Sequence, residues 1–242
     1  MDIKWNVTKS DIRKIQEFFS EYKDSDFVIK RIERNIRKRK RIPSRQTIWR
    51  VLVGCLLTTQ QRSGPGSNVA FFLKEKPFLL GYAYIKNQKN VKSYCHKVLS
   101  DRGGIRRTKT ISLQIAENFK KLELGLWNDL REQLKKLVKK SNPKKERDVA
   151  EIVAGNLDGL GPKQSRNFLQ LLGLTRYEIP IDSRITKWLN NFGFPVKLSA
   201  TALADPNYYQ FVSEGIQALC SKSKIYPCVL DAAIFTSFDE QK

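Results

Sequence analysis

Apolar residues recur along most of this chain at intervals of three and four, the spacing that gathers them on one face of an α-helix. In SDIRKIQEFFSEY, the positions Ile12, Ile15, Phe18, Phe19 and Tyr22 keep that interval behind Ser10, which predicts a helix with a serine cap. Ile48, Val51, Leu52, Cys55, Leu56 and Thr59 follow the same rule after Ser44, so this segment is expected to turn one face, Cys55 included, into the core. The pattern breaks at Gly64, Pro65 and Gly66 and resumes over 67–76, whereas PFLLGYAYIKN is ambiguous from periodicity alone. TKTISLQIAENFKKL and LWNDLREQLKKLVKK predict two further helices, and SNPKKERDVAEIVAGNL a third with Pro143 in its first turn. Ile185, Trp188, Leu189 and Phe192 fall at i, i+3, i+4 and i+7, and DPNYYQFVSEGIQALCSKS continues the theme. Alternating strands joined by tight hairpin turns are missing. The predicted fold class is all-α.

Charge changes the picture more than length does. The 242 residues, 40% of them hydrophobic, suffice for one large folded domain or two small ones with a core. Against 24 acidic residues stand 45 Lys and Arg, a net charge of +21 that attracts polyanions, nucleic acid first among them. An anionic membrane surface and plain solubility are the other readings. The segment KRIERNIRKRKR, residues 30–41, concentrates eight basic residues against one acid, as a solvated face, a linker or a phosphate-facing edge would. The lysines at 135, 136, 139, 140, 144 and 145 invite the same two readings. No apolar run reaches the ~20 residues of a membrane span, and the first residues carry no signal-like apolar core. Cys55, Cys95, Cys220 and Cys228 are too few for a disulfide framework, so a reducing, intracellular setting is expected: cytoplasm or nucleoid, or the nucleus in a eukaryote.

The chemistry concentrates in NLDGLGPKQSRNFLQLLGL and the following EIPIDSRITKWL. A helix ending near Leu157, the turn DGLGP and a helix starting near Lys163 make a helix–hairpin–helix. Its glycines allow a sharp turn, and the free N–H groups at the second helix start favour an anion. Pro162 has no N–H to give but suits the first helical position. A lysine there is electrostatically misplaced unless it works as a neutral amine, which the helix dipole favours. Asp182, behind an apolar IPI, reads as an N-cap for SRITKWLNNF, as a functional carboxylate, or as both.

These segments resemble the helix–hairpin–helix DNA glycosylases of the endonuclease III and 8-oxoguanine glycosylase superfamily. Leu157, Gly159, Leu160, Gly161 and Lys163 match the family's hairpin, while Ile181, Asp182 and Ser183 match its apolar run ending in aspartate. LVGCLLTTQQRS is similar to the segment that places Gln60 where a side chain fills the gap left by an extruded base. The resemblance implies a two-lobed helical protein, with residues 41–176 forming one lobe and residues 1–40 and 177–242 together forming the other. It implies a base-excision-repair enzyme, a bifunctional DNA glycosylase and abasic-site lyase, removing 8-oxoguanine or an oxidised pyrimidine. In that scheme Lys163 attacks C1′ of the damaged nucleotide, forms a Schiff base and nicks the strand by β-elimination, while Asp182 activates the lysine and stabilises charge on the sugar. Gln60, Gly159, Leu160, Gly161 and Arg184 are then DNA-binding, and the partner is duplex DNA holding a damaged base, met by a monomer without a cofactor. Arg184 stands where many members carry histidine. Only Cys220 and Cys228 lie near the end, so the family's four-cysteine iron–sulfur loop is not expected.

Two rivals remain open: a glycosylase without lyase activity, acting on uracil, mismatched or alkylated bases, and a hairpin protein that only grips DNA. His96, beside Cys95, would need distant cysteines to make a zinc site, and no metal is expected. No phosphate-binding G-x-x-x-x-G-K-[ST] loop is present. Phe71, Phe78, Tyr82, Tyr84, Trp127 and Trp188 read as core candidates, any of which would also serve to stack on a flipped base.

Overall fold

A computed structural model describes residues 5–64, 66–139 and 141–239. Pro65 and Lys140 lie outside them, as do residues 1–4 and 240–242 of the predicted discontinuous lobe. Among the described residues the regular elements are all helical, in agreement with the predicted class. In chain order the α-helices are α1 (Lys9–Tyr22), α2 (Asp26–Ile32), α3 (Arg45–Leu57), α4 (Asn68–Lys74), α5 (Tyr82–Ile85), α6 (Val91–Arg102) and α7 (Thr108–Lys121). They continue with α8 (Trp127–Val138), α9 (Pro143–Asn156), α10 (Pro162–Leu171), α11 (Ser183–Phe192), α12 (Pro206–Ser223) and α13 (Pro227–Asp239).

The predicted helices are present, with three corrections, while α2, α6 and α13 fall on segments for which no helix was predicted. Helix α1 is capped by Thr8, not Ser10: Thr8 Oγ1 accepts the Asp11 N–H while Asp11 accepts the Thr8 N–H, a reciprocal box that Ser10, inside the helix, cannot make. Ser44 does cap α3, but this helix is buried on more than one face, since Trp49, Val53, Gly54 and Leu57 are as enclosed as Ile48 and Leu52. The ambiguous PFLLGYAYIKN is mostly loop around the single turn of α5, and Trp49 fastens it to α3 by donating to the Leu80 carbonyl at 2.8 Å.

The third correction concerns the basic segment 30–41, which is neither a linker nor wholly a phosphate-facing edge. Residues Asp26–Ile32 are helical and Glu33–Arg37 form a π-turn. Arg31 is buried and donates to Asp231 Oδ2 at 2.6 Å and to the Cys228 carbonyl at 3.1 Å. Lys40 donates to the Leu174 carbonyl, and burial lowers its pKa. Burial, reinforced by the neighbouring Arg31 charge, pushes the Arg34 guanidinium down to about 10. Several of these cations are therefore structural, which net charge could not reveal.

Two hydrophobic clusters organise the helices. One, centred on α3, gathers residues from Ile48 to Leu174; the other joins Val7, Ile15 and Val28 to residues from Ile179 to Ile234. Chain segment 172–182 passes from one cluster to the other, and buried polar groups pin it. Glu146 of α9 accepts the N–H groups of Arg176, Tyr177 and Glu178 at 2.7–3.1 Å. Asn35 donates to the carbonyls of Gln170 and Thr175, and Gln170 donates to Asp231. Each contact satisfies a buried group that would otherwise cost about 1–3 kcal/mol.

Candidate active site

The hairpin is built as the sequence suggests, but its two glycines serve different ends. Gly159 has φ +82°, and a Cβ there would sit 2.6 Å from Leu56 and 2.7 Å from Gln114, so both the backbone and the packing require glycine. Gly161 has φ −69°, open to any residue, and nothing of the protein lies within 4 Å of the position a Cβ would take. The turn is braced from α7: Asn118 exchanges two hydrogen bonds with the Asp158 backbone, and Lys121 pairs with the Asp158 carboxylate at 2.8 Å. Leu160 is buried and its N–H donates to the Leu157 carbonyl, so its contribution to any ligand is indirect.

Helix α10 begins at Pro162 without a side-chain cap. Its first intrahelical bond is donated by Ser165 to the Gly161 carbonyl. The amides of Lys163 and Gln164 in that first turn precede this bond, so helix geometry directs them outward. Gln164 turns its side chain inward and donates to Thr59 Oγ1 at 3.0 Å, with a longer contact of 3.4 Å to Thr58. This ties α10 to the turn after α3, where Gln60 is exposed with φ +56°, a left-handed conformation uncommon outside glycine.

Asp182 arrives by a different route. Ile179 and Ile181 are buried on either side of Pro180, and the Tyr209 hydroxyl clamps the strap by accepting the Ile181 N–H and donating to the Ile179 carbonyl, both at 2.7 Å. The chain then opens into α11 with Asp182 as N-cap, its Oδ1 accepting from the amides of Arg184 and Ile185. The other oxygen, Oδ2, receives Arg184 Nη2 at 2.7 Å and Nε at 3.1 Å, and faces Lys163 Nζ at 3.6 Å. Burial works to raise the Asp182 carboxyl. The hydrogen bonds and charge of Arg184, the charge of Lys163 and the Ile185 amide outweigh it and hold the group below the usual carboxylate range.

Lys163, Asp182, Arg184 and Gln60 line one cleft of about 660 Å3, together with Thr58 and Phe235. That volume is within the roughly 300–1,000 Å3 of small-molecule sites. A second cavity of about 360 Å3, between Tyr177, Gln217 and Tyr226, contains none of these residues. The structure thus brings four of the seven sequence-selected residues to one opening, while Gly159, Leu160 and Gly161 form the turn leading into α10. Phe235 was missed by the sequence reading. It lies on α13, whose nearly continuous apolar run PCVLDAAIFTSF shows no face, and its ring carries the Arg184 guanidinium at 4.4 Å. The aromatic candidates fall elsewhere: Phe78 and Trp127 are buried in the cluster around α3, and Trp188 stacks on Phe192.

Cys55, Cys95, Cys220 and Cys228 are buried free thiols, and burial pushes all four up, Cys95 and Cys228 to about 12. Among the described residues no group of three or more His, Cys, Asp or Glu is placed to hold a metal ion. No helix among them is long and apolar enough to cross a membrane. Lys135, Lys136 and Lys144 contact Glu132, Gln133 and Asp148 on their own helices.

No protein-family model matches the chain. A curated 8-oxoguanine DNA glycosylase/AP lyase from Sulfolobus acidocaldarius is 26% identical over 118 residues, covering 49% of this chain and 55% of the relative's own length. The crystal structure of Methanocaldococcus jannaschii 8-oxoguanine DNA glycosylase superposes with a TM-score of 0.64 over 93% of this chain and 91% of that one, at 19% identity. The crystal structure of the 8-oxoguanine DNA glycosylase of Thermotoga maritima gives 0.62 over 94% and 95%, at 17% identity. The chain shares its all-α fold with these two 8-oxoguanine DNA glycosylase structures.

Proposed function

We propose that this chain is a base-excision-repair DNA glycosylase with lyase activity, which removes an oxidised base from duplex DNA through Lys163. The observation that carries the proposal is the placement of Lys163 Nζ 3.6 Å from an ionised, half-buried aspartate inside a cleft. A lysine at the start of an uncapped helix, paired with a carboxylate and open to a ligand-sized cavity, is arranged for nucleophilic work on an electron-poor carbon. Similarity to proteins named 8-oxoguanine DNA glycosylases supports 8-oxoguanine as the first substrate to test, ahead of oxidised pyrimidines.

The residues divide the work as follows. The bare Gly161 edge and the outward amides of α10 receive a backbone phosphate, which sets the register of the duplex. Gln60 enters the stack where the nucleotide leaves it, and the flipped nucleotide enters the cleft. The Lys163 amine then bonds to C1′ as the glycosidic bond breaks, and the departing base takes the bonding pair and a proton from the nitrogen. Asp182 stabilises positive charge on the sugar during this step. The nitrogen lone pair next expels O4′, which takes a proton from water as the ring opens, leaving a protonated Schiff base. Loss of a C2′ proton breaks the C3′–O bond and releases the 3′ phosphate as an anion. Water finally hydrolyses the imine and frees Lys163. The two-lobe division at residues 41–176 belongs to the same proposal, with the clusters on either side of segment 172–182 supporting it.

Borohydride trapping tests the reading, on duplexes carrying 8-oxoguanine, thymine glycol, uracil or an abasic site. A covalent protein–DNA band that vanishes in Lys163→Ala is expected, strongest with 8-oxoguanine among the base lesions. Base release without a trapped band would make the protein a monofunctional glycosylase, and salt-sensitive binding without either would leave only a DNA-gripping hairpin.

A further inference from the structure

We propose that Arg184 is a positioning residue for the reaction, not a phosphate contact: it fixes the plane of the Asp182 carboxylate and shares Oδ2 with Lys163. The inference rests on the roles given above to Lys163 and Asp182 and deepens them. A cation beside a DNA cleft is ordinarily expected to reach for the backbone, and the sequence placed Arg184 among DNA-binding residues. Its geometry points the other way. Both Nε and Nη2 are spent on one carboxylate oxygen, at 3.1 and 2.7 Å, and the guanidinium carbon lies over the Phe235 ring, 4.4 Å from its centroid. A fork held between a carboxylate and an aromatic face has little freedom left to turn outward.

The consequence for Asp182 follows from counting its acceptor sites. Oδ1 is anchored by two amides at the start of α11, and the fork of Arg184 on Oδ2 supplies the second point that sets the carboxylate plane. Oδ2 is left to bridge the two cations, nearer to Arg184 than to Lys163. Lys163 faces the carboxylate from α10 and Arg184 from α11, while Arg62 and Asp239 line the same cleft from the turn after α3 and from α13. With Arg184 removed, Asp182 keeps its cap but loses the partner that offsets its burial. It should then take up a proton at higher pH and stabilise the sugar less well.

The test compares the unaltered protein with Arg184→Ala and Arg184→Lys in single-turnover base excision and borohydride trapping on the best-trapped duplex, against pH, with binding measured against salt. Arg184→Ala is expected to slow excision by about 100-fold, to move the acid limb of the rate profile to higher pH, and to leave the salt slope of binding unchanged. Arg184→Lys, which keeps the charge but not the planar fork, should restore the acid limb and only part of the rate. A salt slope lowered by about one, with the rate falling only as far as binding does, is the signature of a phosphate contact and overturns the inference. Should Arg184→Ala fail to fold, Arg184→Lys decides alone: slow excision with an unmoved acid limb supports positioning, and full speed refutes it. Absence of a trapped adduct in the unaltered protein would instead remove the lyase reading on which the inference stands.

Discussion

Arg166 Nε donates to Glu178 Oε2 across 3.0 Å, with both side chains enclosed. The pair lies behind the cleft: Arg166 is on α10 one turn beyond Lys163, and Glu178 is on the strap that leads to Asp182. It joins the element carrying the amine to the element carrying the carboxylate. Ser213 and Gln217 of α12 complete the carboxylate's partners, and Arg147 of α9 lies 3.7 Å from it. Glu178→Gln leaves buried Arg166 only the more distant Glu151 carboxylate, at 3.9 Å, and a loss of about 3 kcal/mol of stability is expected in urea unfolding. Trapping by the surviving folded fraction should also slow. Stability near that of the unaltered protein would show that the pair does not hold the two elements together.

Asp182→Asn separates the two jobs of that residue. Asparagine caps helices as well as aspartate does, so the stability change at neutral pH is expected to stay within about 1 kcal/mol. Trapping should fall on the order of 10²–10³-fold as the charge facing the sugar disappears. The carboxyl is held below its ordinary value in the folded state, so its contribution is complete above the unfolded value of about 3.9 and vanishes as pH falls through the lower folded one. Acid unfolding curves of the two proteins should therefore converge at low pH; curves that diverge there would contradict the depressed carboxyl.

The hairpin glycines should respond in opposite ways to alanine. Gly159→Ala forces a side chain into the left-handed region and against Leu56 and Gln114, and a loss of at least about 1–3 kcal/mol is expected. Gly161→Ala meets no atom of the protein, so its melting temperature should hold while DNA affinity drops, because a methyl group now stands where a phosphate approaches. Unchanged affinity in Gly161→Ala would place the duplex elsewhere.

Glu146→Ala removes the carboxylate that accepts three amides, the buried one of Glu178 and the half-buried ones of Arg176 and Tyr177. Destabilisation of about 3 kcal/mol is expected in thermal or chemical unfolding. A value near zero would mean that the strap finds other partners.

How much of this was written legibly in the chain depends on the kind of contact. Helix positions follow from local spacing, and α7, α8, α9, α10, α11 and α12 lie where periodicity placed them. The Thr8 box was hidden only because Ser10 offered a rival cap two residues later. The pairing of Lys163 with Asp182 was reached through motif resemblance, since nothing local brings positions 163 and 182 together. Arg31 with Asp231, Glu146 with the 176–178 amides, and Arg184 on Phe235 were illegible because each joins residues that pattern alone leaves unrelated. Charged residues suffer most from this: a basic run reads as surface until its partners, far along the chain, are seen to enclose it.

The Arg31–Asp231 contact also sets a timetable. A ribosome adding roughly 5–20 residues per second takes on the order of 10–40 s to travel from one partner to the other. Throughout that interval Arg31 lacks the carboxylate that neutralises it in the folded protein, while the residues of the cluster around α3 are made one after another. Helix α13 supplies Asp231 and Phe235 later than every other described helix, and with them part of the lining of the cleft. Lys163, Asp182 and Arg184 all leave the ribosome before Phe235, so the aromatic wall that carries the Arg184 guanidinium is added to a cleft whose charged groups are already made.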